Sequence, residues 1–132
     1  MAKRYYTLDE ANALLPEVKP ILAEMEEAYL TEQEKRGEYQ VVHNRVAGNG
    51  GHFGEGQHRV AREALEKASR QFEKLAKKIE KLGIEIKGME PPLIDFYSRR
   101  DGEDILLCFR LGEEMIEYWH DLDSGFAGRQ PL

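Results

Sequence analysis

Apolar residues recur along the first part of the chain at Leu8, Ala11, Leu15, Val18, Leu22, Met25 and Tyr29, in steps that alternate between three and four. That spacing is the seam of a coiled-coil-like helix. Thr7-Leu-Asp-Glu10 stands at its start as a capping box, in which the Thr hydroxyl and the Glu carboxylate satisfy amides that a first turn leaves unpaired. Pro16 and Pro20 each remove a helix donor and crowd the preceding turn. The pattern therefore predicts a short helix, a kink or restart near Pro16 to Pro20, and a long helix toward Val42 or Asn44. A second seam, Ala61, Leu65, Ala68, Phe72, Leu75, Ile79 and Leu82, runs unbroken over about Gln57 to Leu82, and Gly83 ends it as a C′ residue would. Between the seams, residues 48–56 hold five glycines in nine positions and cannot continue a helix. The two helices are thus predicted to form an antiparallel hairpin.

After Gly83 the period falls to two, in Ile84-Glu-Ile86, Leu93-Ile-Asp-Phe-Tyr97, Ile105-Leu-Leu-Cys-Phe109 and Met115-Ile-Glu-Tyr-Trp-His120. Asp101-Gly102 and Gly112-Glu113 supply hairpin turns, and Pro91-Pro92 sets the first strand apart as an edge. The class expected is α+β: a long antiparallel helical hairpin over about 7–82, then a small four-stranded antiparallel β-meander with a C-terminal tail over about 83–132, in one domain of residues 1–132.

Composition narrows the setting. Of the 132 residues 41% are hydrophobic, enough for a modest core, and with no apolar run long enough to cross a membrane and no signal-like start the expected location is the cytoplasm. The single Cys108 cannot form an internal disulfide. Net charge is −6 but unevenly spread: residues 7–45 carry nine acids and four bases, residues 57–82 eight bases and four acids, and the part from Gly83 onward eleven acids and five bases. An acidic helix beside a basic one reads as mutual attraction within the hairpin. The acidic second half argues against nucleic acid as a partner.

Candidate chemistry gathers in two places. His43, His52 and His58 lie around the glycine turn beside Glu55, and imidazole with carboxylate is an ordinary set for a divalent metal ion, zinc included. The turn lacks the Gly-Lys-Ser/Thr ending and the Gly-x-Gly-x-x-Gly spacing of phosphate loops. The other place is the C-terminal stretch, with Trp119, His120, Asp121, Asp123 and Arg129. Strand alternation puts Ile116, Tyr118 and His120 on one face and Met115, Glu117 and Trp119 on the other, so an inward His120 is either a hydrogen-bonded core residue or a ligand that Asp121 orients or joins. Cys108, mid-strand between Leu107 and Phe109, reads as a small buried hydrophobe, with a nucleophile as the alternative.

Together, Tyr6-Thr-Leu-Asp-Glu-Ala-Asn-Ala-Leu-Leu-Pro16, Gly48-Asn-Gly-Gly-His52, Leu107-Cys-Phe-Arg-Leu-Gly-Glu113 and Trp119-His-Asp-Leu-Asp-Ser-Gly-Phe-Ala-Gly-Arg-Gln-Pro-Leu132 resemble a prokaryotic family catalogued only as a domain of unknown function. The resemblance spans nearly the whole chain. It implies a small soluble prokaryotic protein and carries over no catalytic residues; Phe109 departs from the Leu-Cys-Trp expected of members. On function the residues favour a non-catalytic homodimeric assembly module, because a two-helix hairpin leaves apolar surface for a second copy to cover. The competing reading is a small metal-dependent enzyme of the hydrolase type, with ligands drawn from His52, Glu55 and His58 or from His120 and Asp121. A helix of 26 residues is about 39 Å long, which predicts that any site joining His52 and His58 to His120 lies between subunits.

Overall fold

The computed structural model describes residues 3–48 and 54–132. Helix α1 spans Leu8–Gly48 and helix α2 spans Glu55–Glu80. The capping box forms as expected: the Thr7 amide donates to Glu10 Oε1 at 2.8 Å, and the Glu10 amide donates to Thr7 Oγ1 at 3.1 Å. The break expected at the prolines does not occur, and α1 runs through Pro16 and Pro20 as one helix that continues past Asn44. Both prolines are exposed, on the side of the helix open to water, while Ala11, Leu15, Val18, Leu22 and Met25 are buried on the other side. Water can take up carbonyls that lose a donor there, and burial of the seam holds the helix together. Helix α2 ends at Glu80, and the chain turns through Gly83 at φ 81°, a left-handed conformation that suits glycine.

The sheet has five strands in sequential order, all antiparallel: β1 Ile84–Met89, β2 Pro92–Arg100, β3 Glu103–Arg110, β4 Tyr118–His120 and β5 Gln130–Pro131. The meander is therefore one strand longer than expected, and its fourth strand starts at Tyr118 instead of Met115. The cause is a long-range contact: the Ile116 amide donates to Asn12 Oδ1 on α1 at 2.7 Å, which draws that stretch off the ladder. Strand β5 comes from the tail, too short to show a period of two. Asp101 and Gly102, at φ 52° and 80°, make the two-residue turn between β2 and β3. Met89 faces Pro92, so Pro91-Pro92 belongs to the hairpin between β1 and β2, and β1 is an edge strand as expected.

Two compact units make up the chain, Met1–Glu26 with Leu75–Leu132, and Glu27–Lys74. In the first, one sheet face carries Ile94, Phe96, Ile105, Leu107 and Phe109, all buried. It meets the start of the chain, where the Tyr6 ring packs edge-on against Phe96 with centroids 5.5 Å apart and Lys19 of α1 lies over Phe109. The second unit pairs the remaining lengths of α1 and α2 antiparallel: Tyr29 meets Phe72, and Tyr39 and His43 meet His58. Its seam is more open, with Leu65 and Phe72 only half-buried.

Candidate metal centre

Alternation along three neighbouring strands sets the site. In the β2–β3 register Asp95 lies opposite Cys108, and in the β3–β4 register Leu106 lies opposite His120. With a period of two, Asp95, Cys108 and His120 all project from the sheet face opposite Phe96 and Phe109. All three are buried, Asp95 to 1% and His120 to 2% exposure. A carboxyl, a thiol and an imidazole thus stand together away from water, where each polar atom needs a partner.

The partners are specific. His120 Nδ1 lies 2.7 Å from the Asp121 carbonyl oxygen, which can only accept, so Nδ1 carries a hydrogen and donates it. The same ring's Nε2 lies 3.1 Å from both Asp95 oxygens. One proton is shared across that contact, and a cation bound at Nε2 would have to displace it. Burial raises the Asp95 pKa, against the opposing pull of His120, a hydrogen bond from Cys108 and the nearby Lys87. Burial likewise pushes the Cys108 thiol up to about 12, with the Asp95 charge adding to it and Arg129 opposing it. Without another positive charge, Cys108 stays a thiol.

The carboxylate oxygens, the thiol sulfur and an imidazole nitrogen lie within 4.8 Å of one another, and no other group of three such side chains does so among the described residues. Zinc takes ligands of these kinds at about 2.0–2.3 Å. The donors are therefore slightly wide for one ion and need only small side-chain shifts to close on it. A ligating His ordinarily sends its second N–H to a carbonyl or carboxylate, and the Asp121 carbonyl already does this for His120. The residues fit a transition-metal ion.

The chain past β4 crosses the same sheet face. Asp121 accepts the amides of Asp123 at 3.0 Å and Ser124 at 2.7 Å, which holds its carboxyl below the usual range. Gly125 turns the chain at φ 62°, and a single 3-10 turn, Phe126–Gly128, follows. Arg129 closes the segment: its Nη2 donates to both Glu113 oxygens, and its guanidinium stacks 4.1 Å above the Tyr118 ring and 4.8 Å from that of Phe126. Under this tail lies a cavity of about 300 Å³ whose lining includes Asp95, His120, Lys87, Leu122, Asp123 and Phe126.

The residues singled out in the sequence separate. His120 is in the centre. Asp121 is exposed and acts through its backbone carbonyl and turn hydrogen bonds, with its carboxylate outside the donor group. Trp119 points to the opposite face, half-buried beneath Arg100, and Arg129 fastens the tail. In the second unit His58 Nε2 lies 3.1 Å from His43 Nδ1, Glu55 is an exposed first residue of α2, and His52 lies outside the described residues. Asp95 and Cys108 were not among the sequence candidates. The signal that finds them is the turn: counting outward from Asp101-Gly102 puts Asp95 across from Cys108, two polar groups facing each other inside apolar strands.

One family model matches the chain over residues 4–132 and is described as an uncharacterized conserved protein, DUF2203. No curated protein and no solved structure matches it.

Proposed function

The chain belongs to that uncharacterised family, whose description assigns no activity, and from its geometry we propose that it is a metal-binding protein with a centre formed by Asp95, Cys108 and His120. The observation that carries the reading is the convergence of three different donor types, all buried, with the His tautomer set so that Nε2 is the nitrogen facing the other two. A purely structural Asp–His pair accounts for two of the three. The thiol, which hydrogen-bonds to Asp95, adds a third donor of a different kind to that pair. A mixed nitrogen, oxygen and sulfur set favours zinc or a neighbouring divalent transition metal over magnesium or calcium, which prefer oxygen alone. The bound ion would act as a Lewis acid; the chain's part is to hold it in a dry pocket and orient His120.

Metal analysis of protein purified without chelator tests this. One equivalent of zinc or a similar ion in the wild type, lost in Cys108→Ala and His120→Ala proteins that remain folded, is the expected result. Wild-type protein that is folded, metal-free and unable to take up zinc overturns it.

One observation favours an assembly role in addition. In the second unit Leu30, Val41 and Val60 are 59%, 56% and 61% exposed, and the step of eleven from Leu30 to Val41 is about three helical turns, so both lie on one side of α1. A second copy covering this side would make the homodimer. Sedimentation showing a monomer at all concentrations removes the assembly reading and leaves the metal reading untouched.

A further inference from the structure

Three donors leave a tetrahedral ion one ligand short. Two nearby carboxylates are otherwise engaged: that of Asp121 accepts two backbone amides, and Glu113 is held by Arg129. What reaches the centre instead is the cavity under the tail, since Asp95 and His120 are both in its lining. At about 300 Å³ it sits at the small end of the range for ligand pockets.

Its walls describe what would fit. Leu93, Leu106, Leu122 and Phe126 are apolar, and Leu122 and Phe126 lie on the tail that roofs it. Lys87 is the cation of the lining; Glu85 holds it at 2.7 Å, but an ammonium has three hydrogens to donate, so others remain for a ligand. A divalent ion with one carboxylate and one thiolate is neutral. An anionic oxygen is what an open coordination position on such an ion binds, and Lys87, shared with Glu85, keeps hydrogens to donate to it. Asp123 lines the cavity as well, on its exposed side, and lies outside the group of donors.

Resting on the metal reading above, we propose that the centre is open, and that its remaining position takes a small carboxylate with a short apolar body from this cavity, with Lys87 binding the carboxylate and Leu122 and Phe126 packing on the body. The site is thus a ligand-binding or catalytic one, not a structural clamp.

Cobalt(II) in place of zinc makes both claims visible separately. A thiolate-to-cobalt absorption band in the loaded wild type reports Cys108 as a ligand, and the visible bands report the coordination shell. Acetate, butyrate and benzoate are then titrated in. The expected result is a saturable change in the visible bands, with butyrate tighter than acetate. Lys87→Met, a substitution at an exposed position, should weaken butyrate about tenfold, the loss of one charge-assisted hydrogen bond. Phe126→Ala should remove the preference for butyrate over acetate. A cobalt–thiolate band with visible bands that no carboxylate alters overturns the open-site proposal and leaves the metal centre standing. So does an Asp123→Asn protein whose bands differ from wild type before any carboxylate is added, because Asp123 is then the fourth ligand. Absence of the thiolate band overturns the metal reading itself.

Discussion

The contact between Asp95 and His120 can be tested as a pair in metal-free protein. Asp95→Leu replaces a carboxyl by a branched apolar group of similar shape and leaves His120 Nε2 buried without a partner, which costs about 1–3 kcal/mol. His120→Leu leaves the Asp95 carboxyl with only the Cys108 thiol, at a cost at least as large. In the double variant both polar groups are gone, and an apolar pair on this face is nearly neutral. The double variant should therefore lose less stability than the two singles summed, by on the order of 2 kcal/mol. Urea unfolding at pH 7 with chelator present measures it, using midpoints at equal slope. Additivity within about 0.5 kcal/mol would refute the reasoning, because it would mean the two side chains are not partners in solution. The pair also has a pH signature. Burial raises the Asp95 pKa from 3.8, so its protonated form is favoured in the folded state. Its contribution is fully present below the ordinary value and is lost as pH rises through the raised one. Asp95→Asn, which keeps a donor toward Nε2 and does not titrate, should gain stability relative to wild type as pH climbs through that window.

Three further outcomes follow from the fold. Phe96→Ala should cost about 3–5 kcal/mol by thermal or urea unfolding, since the ring is fully buried beneath Tyr6; a loss below about 1 kcal/mol contradicts that packing. Thr7→Ala should cost about 1 kcal/mol through the lost cap. In the same variant the Glu10 carboxyl, held below its ordinary range first by the residue-7 amide, which remains, and second by the Thr7 hydroxyl, which is removed, should titrate only slightly higher by NMR, so most of the stability that is lost as pH falls through that lowered value stays. Gly83→Ala places a side chain at φ +81° and a Cβ 2.8 Å from the Arg4 Cβ, and should cost about 1–2 kcal/mol or more; unchanged stability means that the left-handed turn there is not required.

How far the fold was legible depended on the range of the signal. The caps, the two seams and three of the strands follow from patterns a few residues long, and the Asp101-Gly102 turn is a local backbone demand. The prolines misled because their cost depends on which side of α1 they occupy: they lie off the seam of Leu15, Val18 and Leu22, on the open side, where burial of that seam outweighs the lost donors. Strand β4 began late because of Asn12, more than a hundred residues earlier in the chain. The candidate centre was half-legible for a similar reason. His120 stood out as a titratable group at the end of an apolar strand, whereas Asp95 and Cys108 each look ordinary alone, and only strand register makes them neighbours. The histidines around the glycine turn drew notice by clustering in sequence, but His43 and His58 meet each other in the second unit, and the described residues place no carboxylate with them.

The turn between β2 and β3 constrains the protein in a further way. Surface loops usually absorb insertions and deletions freely. Here the two residues Asp101 and Gly102 set which face of the sheet every later side chain of β3 occupies, because a slip of one residue exchanges the faces. Lengthening the turn by a single residue would bring Cys108 toward the apolar side and turn Leu107 and Phe109 to the tail, so core and chemistry would be lost in the same event. Variation in this hairpin is confined to exchanging residues that accept a left-handed backbone. A tag, a linker or a circular-permutation break belongs elsewhere in the chain, however exposed this turn is.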